Sequence, residues 1–250
     1  MDEQRVAMVT GAAQGIGRSV AQRLAGLRHH VVLLDRDSER LEETRSKMAA
    51  AGAEVSAVEG DVASLESAEQ AIRLVERDKG RLDILINNAG ISPSHEGRSL
   101  AIEDMDIAEW DNVLAVNLTG TFLMCRSALP LMKRGGWGRI VNFSSQGGRT
   151  RSLLSGAHYA ATKAGLIGFT RVLAGQVGKH GITANIIAPG RIDTEQSRSF
   201  GDTDTYLSQM PAGRFGEGSD IATGVEYLVS PGAGFVTGAI LDINGGFFMP

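Results

Sequence analysis

The strongest constraint on the fold is an alternation of short β-branched segments with longer segments in which apolar residues recur every three or four positions. The short segments predict seven strands, at residues 6–10, 31–35, 54–58, 83–87, 139–144, 182–188 and 239–243. Gly52, Gly80 and Gly181 separate three of the predicted helices from the next strand, as helix-terminating glycines do. Strands that alternate with helices run parallel, with right-handed crossovers and helices on both faces. A (β/α)₈ barrel has the same alternation, so periodicity leaves it open.

A glycine-rich turn after the first predicted strand decides between these two α/β folds. Residues 10–17 read TGAAQGIG, and a helix is predicted to begin there. Residues without a Cβ let the chain turn tightly and let a pyrophosphate approach the N–H groups at the positive end of a helix. A glycine in any tight turn is the alternative explanation, but Asp35 ends the second predicted strand 18 positions after Gly17. The pattern predicts a Rossmann-type doubly wound parallel sheet of about seven strands, in a single domain spanning residues 1–250.

Asp35 also indicates which dinucleotide this loop would bind. A carboxylate at the end of the second strand accepts hydrogen bonds from the ribose hydroxyls of an adenosine and repels a 2′-phosphate. Gln14 adds no positive charge to the loop, although Arg36 could contact a phosphate. A solvated acid at the end of a strand is the alternative for Asp35. The sequence therefore favours NAD over NADP.

Tyr159 and Lys163 form a second candidate site at the start of a long predicted helix. Their spacing of four places both side chains on one helix face. A phenol needs its pKa lowered by about three, or roughly 4 kcal/mol, to act as a base near pH 7. An ammonium about 4 Å away supplies about that much at an effective dielectric constant of 20. The pair alone is common on solvated helices, but Ser144 and Ser145 end the preceding strand, on the edge where open α/β sheets bind ligands.

Composition argues against several functional classes. The net charge is −4 and the sequence pI about 5.8, so the basic surface of a nucleic-acid-binding protein is not expected. The single Cys125 cannot form an internal disulfide, and no run of about 18 apolar residues is found. We therefore expect a cytoplasmic protein with no membrane partner. The five histidines lack metal-ligand spacing, and the acidic residues 103, 104 and 106 are explained as a solvated approach to a helix, so no metal is predicted.

Over essentially its whole length the sequence resembles the short-chain dehydrogenase/reductase family, and within it the 3-oxoacyl-carrier-protein reductase-like group. The resemblance rests on motifs that occur in the family's order: residues 10–17, Asp61-Val62, Asn87-Asn88-Ala89-Gly90, Asn117, Ser144-Ser145, Tyr159 to Lys163, Pro189-Gly190 with Thr194, Val236-Thr237-Gly238 and Asn244-Gly245-Gly246.

The resemblance implies a catalytic tetrad. Tyr159 would exchange a proton with the substrate oxygen, and Ser145, with Ser144 as the alternative, would orient that oxygen. Lys163 would lower the phenol pKa and hold the nicotinamide ribose, and Asn117 would position a water that passes protons to Lys163. The implied cofactor-binding residues, together with those of the loop, are Gly11, Gln14, Gly15, Ile16, Gly17, Asp35, Arg36, Asp61, Val62, Asn88, Ala89, Gly90, Tyr159, Lys163, Pro189, Gly190, Ile192 and Thr194. Helix capping is the simpler explanation for Asp61 and Thr194, and an ordinary turn for Asn88.

The family resemblance implies hydride transfer between a nicotinamide and a secondary alcohol or ketone, which places the chain among the oxidoreductases that act on CH–OH groups with NAD or NADP. A 3-oxoacyl thioester and a polyol or sugar are alternative substrates, and a non-catalytic dinucleotide sensor or scaffold is an alternative of another class. Residues 191–216 are expected to form a substrate lid. Arg149 and Arg151 are expected on a loop near the substrate mouth, as ordinary exposed arginines, with anion recognition as the alternative. A homotetramer is expected, as is a carrier-protein partner if the modest basic patch Lys133, Arg134, Lys179 and His180 binds one.

Overall fold

A computed structural model describes residues 4–152, 154–195, 197 and 203–250. The described residues form one seven-stranded sheet: β1 (Val6–Thr10), β2 (His30–Asp35), β3 (Val55–Glu59), β4 (Ile84–Asn87), β5 (Gly138–Phe143), β6 (Ile182–Pro189) and β7 (Ile240–Ile243). Each predicted strand is present within two residues of its expected ends. The fifth ends one residue early, which leaves Ser144 and Ser145 in the connection after the strand.

All six strand pairs are parallel, in the order β3-β2-β1-β4-β5-β6-β7. The order reverses between β1 and β4, because the chain moves outward from β1 to β3 and then crosses back to the other side of β1. Connections from neighbouring strands leave in opposite directions at such a point, which opens a crevice at the carboxyl ends of the strands. The predicted doubly wound fold is confirmed, and the barrel is excluded.

Eight α-helices connect the strands in the described part of the chain: α1 (Gly15–Gly26), α2 (Ser38–Ala50), α3 (Leu65–Lys79), α4 (Ile107–Leu114), α5 (Gly120–Gly135), α6 (Ala157–Val177), α7 (Thr203–Ser208) and α8 (Gly218–Val229). The three glycines expected to end helices, Gly52, Gly80 and Gly181, have φ of 85°, 68° and 71°. This left-handed conformation suits glycine because it has no Cβ.

Two apolar layers cover the sheet, one on each face. Successive strand residues point to opposite faces, so Met8 packs towards α3, α5 and α6, while Ala7 and Val9 pack towards α1, α2 and α8. Strands buried on both faces are almost continuously apolar, as in parallel sheets generally. Polar side chains that can meet a ligand are therefore concentrated beyond the strand ends.

Helices α4 and α5 join through a π-helical turn, Ala115–Thr119, into a continuous helix from Ile107 to Gly135. By length and composition this helix could cross a membrane, but half of its most apolar window is buried inside the protein. Its contacts with α3, α6 and the sheet account for that apolar character, as expected of a core helix.

Candidate active site

A cleft of about 390 Å³ opens at the carboxyl edge of the sheet, where the strand order reverses. Except for Gly17 and Asn117, every residue that the sequence assigned to cofactor binding or catalysis lines this cleft. The structure therefore brings together residues from position 11 to position 194. It does so because parallel strands all end at the same edge.

The glycine loop forms one wall of the cleft. Gly11 has φ of 64°, and a Cβ on Gly17 would collide with the carbonyl oxygen of Gly11 and lie 2.6 Å from Nδ2 of Asn88. Helix α1 begins at Gly15, and Gln14 before it makes no capping hydrogen bond with its side chain. The N–H groups of the first turn thus face the cleft without a capping side chain, an arrangement that suits a pyrophosphate.

Asp35, at the end of β2, accepts hydrogen bonds from two backbone N–H groups beside the glycine loop. Its Oδ2 accepts from the N–H of Ala13 at 3.0 Å, and its Oδ1 from the N–H of Asp37 at 3.2 Å. Arg36 lines the cleft and is exposed. Arg40, which the sequence analysis did not select, is hydrogen-bonded to Gln14 and paired with Glu195 at 3.3 Å. The glycine loop is therefore next to the Asp35 carboxylate, to Arg36, which is exposed in the cleft, and to Arg40, whose charge is paired with Glu195.

The residues after β3 and β4 form the floor of the cleft. Oδ1 of Asp61 accepts from the N–H of Ala63 at 2.9 Å in a local turn, whereas helix α3 is capped by Ser64, so Asp61 is not the helix cap that was its alternative explanation. Nδ2 of Asn88 donates to the carbonyls of Thr10 at 3.0 Å and Gly11 at 3.1 Å, which ties β4 to the glycine loop. A Cβ on Gly90 would lie 3.3 Å from Nζ of Lys163. Val62 and Ala89 complete this part of the lining.

The segment after β6 closes the cleft on a third side. Pro189 ends the strand, and the N–H of Gly190 donates to the carbonyl of Ile243 at 2.9 Å. Ile192 is buried and forms an isolated bridge with Gly216. Oγ1 of Thr194 accepts from the N–H of Ser197 at 3.2 Å, so Thr194 caps a turn as well as lining the cleft.

Ser145 and Tyr159 both line the cleft, and their side chains are hydrogen-bonded to each other. Burial raises the pKa of the Tyr159 phenol, and a hydrogen bond with Ser145 acts in the opposite direction. Oγ of Ser145 also accepts from the N–H of Gly147 at 3.1 Å. Ser144 is buried, and its hydroxyl donates to the carbonyl of Lys163 at 2.7 Å. Of the two serines, the structure places Ser145 beside the phenol.

Lys163 lies one helical turn after Tyr159, and it is buried. Desolvation lowers the pKa of its amine to about 8, and Nζ donates to the carbonyl of Phe143 at 2.8 Å. Nζ is 5.5 Å from the centroid of the Tyr159 ring. The lowered phenol pKa that the sequence analysis attributed to Lys163 is not found in the protein alone, because desolvation of the phenol dominates.

Asn117 lies behind Lys163, in the π-helical turn, and is fully buried. Its Oδ1 accepts from the N–H of Ile91 at 2.8 Å, and its Nδ2 donates to the carbonyl of Ile91 at 2.9 Å and to Oγ1 of Thr162 at 3.3 Å. π-Helical turns are frequent at functional sites, since they turn one side chain out of register. Here Asn117 joins the loop after β4 to helix α6.

The substrate side of the cleft contains residues that the sequence analysis missed. The hydroxyl of Tyr206 donates to Oε1 of Gln146 at 2.7 Å, and the Tyr206 ring stacks on Phe247 at 4.3 Å. Nothing in local spacing could reveal this contact, because its partners are 60 residues apart. Polar lining residues on this side are Gln146, Ser152, Ser155, Arg191 and Tyr206.

Two expectations about basic residues are wrong in part. Arg149 does not face the cleft as a free cation, because Nε and Nη2 bind both carboxylate oxygens of Asp242 at 3.1 and 3.0 Å. Arg151 is exposed and lies outside the cleft lining. The patch Lys133, Arg134, Lys179 and His180 follows the ends of α5 and α6 and precedes β5 and β6, so it lies at the amino edge of the sheet, opposite the cleft.

The geometry fits a nicotinamide dinucleotide. The glycine loop presents the N-terminus of α1 and leaves space that side chains larger than glycine would fill. Asp35 lies where doubly wound folds recognise an adenosine ribose. The phenol of Tyr159, the hydroxyl of Ser145 and the amine of Lys163 lie together at the far end of the cleft. A dinucleotide bound along this edge would bring its reactive ring to Tyr159. The arrangement can therefore bind a hydride carrier and move a proton at one oxygen.

Comparisons with known proteins agree with this geometry. Residues 11–248 match a family model described as enoyl-(acyl carrier protein) reductase. The chain is 37% identical over 247 residues to a 3-oxoacyl-(acyl-carrier-protein) reductase of Aquifex aeolicus, covering 98% of this chain and 97% of the relative. Nodulation protein G of Azospirillum brasilense is also 37% identical, with 97% and 98% covered.

Among solved structures, a 3-oxoacyl-(acyl-carrier protein) reductase of Brucella melitensis with bound NAD superposes with a TM-score of 0.91. It is 35% identical, and the match covers 100% of this chain and 93% of that one. The similarity thus extends over the whole sheet and both sides of the cleft.

Proposed function

This chain belongs to the short-chain dehydrogenase/reductase family, and we propose that it transfers a hydride between NAD(H) and a secondary alcohol or ketone. Tyr159 would exchange the proton with the substrate oxygen in this reaction. Family membership makes the chain an NAD(P)-dependent oxidoreductase of the CH–OH/ketone class. The observation that supports the proposal is the meeting of Ser145, Tyr159 and Lys163 at one end of a cleft whose other end is the glycine loop.

The bound nicotinamide would supply or accept the hydride. Tyr159 would donate a proton to the carbonyl oxygen during reduction, and its raised pKa means that the phenol carries this proton at neutral pH. Ser145 would hydrogen-bond the same oxygen and fix its distance from the phenol. The family's Ser/Tyr arrangement needs both groups on one oxygen, and the structure places them side by side.

Lys163 would act as the neighbouring cation and a contact for the nicotinamide ribose. With a pKa of about 8 its amine is mostly protonated at pH 7, so it can stabilise a phenolate once the proton has left Tyr159. Asn117 would hold the water through which Lys163 regains protons. Its two hydrogen bonds to Ile91 keep its amide fixed near Lys163.

NAD is the proposed cofactor rather than NADP. Asp35 places a negative charge where a 2′-phosphate would bind, and Arg40, the nearby cation on α2, is already paired with Asp37 and Glu195. Replacing Asp35 with Ser should raise the ratio of NADPH to NADH in kcat/KM at least about tenfold, since roughly 1.4 kcal/mol of charge repulsion is removed. A ratio that stays constant would show that another residue determines the preference.

The first substrate class we propose is a 3-oxoacyl thioester, because the relatives with 35–37% identity over nearly their whole length carry that name. The polar lining of Gln146, Ser152, Ser155 and Tyr206 favours a second candidate, a polyol or sugar with several hydroxyl groups. A carrier protein bound at the amino-edge basic patch could not deliver its substrate to Tyr159. If a carrier binds, it must do so around the mouth of the cleft.

NADH absorbance separates these candidates. Oxidation of NADH with acetoacetyl thioesters supports the first, and reduction of NAD by polyols supports the second. Tight NADH binding without turnover on either panel would support the non-catalytic sensor.

We also propose a lid over the site, a homotetrameric assembly and a cytoplasmic location. Residues 191–216 would form a lid over the site, and the packing of Tyr206 and Phe215 over Arg191 supports this proposal. Residues 196 and 198–202 of this segment lie outside the described chain.

A homotetramer is proposed because Phe122 and Val172 are 46% and 62% exposed on α5 and α6. Light scattering near 26.5 kDa would contradict it. A cytoplasmic location remains a prediction for cell fractionation.

A further inference from the structure

Helix α6 begins without a side-chain cap one turn before the reactive phenol. Its N-cap residue is Gly156, and the first intrahelical bond runs from the N–H of Ala160 to the carbonyl of Gly156. The N–H groups of the three residues between them therefore lack an intrahelical acceptor. One of these three N–H groups belongs to Tyr159 itself.

The imidazole of His158 accepts the hydrogen bond that an ordinary cap would accept. Nδ1 of His158 lies 2.7 Å from the backbone nitrogen of Tyr159, and the ring is buried, with 1% of its residue surface exposed. Because a backbone N–H can only donate, Nδ1 must be the unprotonated nitrogen. The ring proton is then on Nε2, which lies 2.9 Å from Oε1 of Glu109.

Glu109 connects this imidazole to a second histidine, His95. It lies on α4, and its second oxygen, Oε2, is 2.8 Å from Nε2 of His95. His95 belongs to the loop after β4, where its backbone pairs with Arg98. Hydrogen bonds to both histidines hold the pKa of Glu109 below its usual value. The carboxylate is thus charged and fixed at both oxygens.

Gly156 leaves the space in which the imidazole lies. A Cβ at position 156 would lie 2.6 Å from Cε1 and 3.0 Å from Nδ1 of His158. The φ of Gly156 is −67°, which any residue adopts, so its backbone conformation does not require glycine. What requires glycine here is the folded-back ring of His158.

We infer that His158, held by Glu109, is a positioning residue for catalysis: it replaces the missing cap of α6 and fixes the backbone of Tyr159, and thereby the phenol, against Ser145. This inference rests on the proposed role of Tyr159. It assigns no contact between His158 and substrate or cofactor. Small errors in the position of a reacting group can lower a rate about 100-fold, so a backbone anchor one residue away is well placed to matter.

Two substitutions test the inference from opposite sides. His158→Phe keeps a ring and deletes both hydrogen bonds, whereas Gly156→Ala keeps the imidazole and fills the space that it occupies. We expect each to lower kcat about 10- to 100-fold, while the Kd of NADH, measured by fluorescence, changes less than about twofold. His180→Phe, on the turn after α6, is the matched control and should leave both values unchanged.

Hydrogen exchange provides a readout that does not depend on a substrate. The Tyr159 amide should exchange at least about tenfold faster in His158→Phe and in Gly156→Ala, with the amides of residues 166–174 unchanged. Because Glu109→Gln retains an oxygen that can accept from Nε2, it should preserve more of kcat than Glu109→Ala. A purely structural role would lower the thermal midpoint and the NADH affinity together in all of these variants.

Different variants test the proposed role of Tyr159 and the positioning role of His158. Tyr159→Phe that retains turnover overturns the role of Tyr159, and with it the inference. If Tyr159→Phe is inactive but His158→Phe and Gly156→Ala retain wild-type kcat, only the positioning role is overturned. An unchanged exchange rate of the Tyr159 amide in both variants overturns it as well.

Discussion

The two sides of the cleft are held together by different kinds of contact. On the cofactor side, the buried and half-buried contacts join side chains to backbone: Asp35 accepts from Ala13, Asn88 donates to Gly11, and Oγ1 of Thr44 donates to the carbonyl of Ala13 at 2.8 Å. The exposed contacts of Arg40 with Gln14 and Glu195 are the exception. On and behind the substrate side, the contacts that join distant parts of the chain are between side chains, as in Tyr206 with Gln146, Arg149 with Asp242 and Glu109 with His158, and side chain–backbone bonds such as that of Ser145 with Gly147 are local.

This difference separates what is general in the site from what is particular to this chain. Contacts to backbone fix the path of a loop whose own side chains are small, and such a loop presents N–H groups that suit any dinucleotide. Contacts between side chains depend on the identity of both partners. The substrate side can therefore change its specificity through substitutions that leave the cofactor side intact.

Tyr159 lies where the cofactor side and the substrate side of the cleft meet, and Tyr159→Phe should have the largest effect on turnover. Removing the phenolic proton should lower kcat about 10³-fold, equivalent to roughly 4 kcal/mol. Because the glycine loop is unaffected, the Kd of NADH should change less than about twofold. Stopped-flow turnover and NADH fluorescence measure the two quantities, and a parallel loss of both would break the separation of the two sides.

The next effect concerns Lys163 and depends on pH. Burial lowers the pKa of Lys163 from 10.5 in the unfolded chain to about 8, and this lowers the free energy of unfolding by about 3 kcal/mol when the amine is protonated. We call this loss of stability the penalty. Below pH 8 the amine is protonated in both states and the penalty is complete; between pH 8 and 10.5 the native state loses its proton first and the penalty fades.

Wild type should therefore gain stability relative to Lys163→Met as the pH rises from 7 to 10, which denaturant unfolding of both proteins would measure. A constant difference between them would mean that the amine is not desolvated in the native state.

On the cofactor side we expect Gly17→Ala to weaken NADH binding about 100-fold, or roughly 2.7 kcal/mol, because its Cβ would displace the carbonyl of Gly11. Gly26→Ala, in the same helix, is the matched control, since no atom lies within 4 Å of its Cβ. Calorimetric titration of NADH compares them. Equal affinity in the two variants would show that the loop can relax without losing its ligand.

On the substrate side we expect Arg149→Ala to destabilise the protein by about 2 kcal/mol, because it leaves the carboxylate of Asp242 without its bidentate partner. Arg45→Ala, which removes an exposed pair with Glu42 at 2.6 Å, should leave the urea midpoint unchanged. NADH affinity should stay at the wild-type value in both. A loss of NADH affinity in Arg149→Ala would show that the two sides are coupled.

The sequence predicted most of the residues that meet on the cofactor side, though not Arg40, because these residues belong to short motifs at strand ends. It predicted the substrate side poorly. Arg149 was expected to be an exposed loop arginine and instead pairs with Asp242, 93 residues further along the chain, and the basic patch considered for a carrier lies at the opposite edge of the sheet. His158 could be described from the sequence only as a satisfied or solvated histidine, since its carboxylate partner, Glu109, lies on α4, 49 residues away.

By itself the sequence determined the parallel α/β fold, the place where its strands end, and the family motifs that meet there. Periodicity and glycine spacing are local properties, and the geometry of parallel strands converts them into a shared edge. Only the tertiary structure decided which serine meets the phenol, which cations are already neutralised, and which groups hold the start of α6. The second and third of these outcomes depend on side chains that are 49 to 155 residues apart in the sequence, as Glu109 and His158 or Arg40 and Glu195 are, and no local pattern records such a contact.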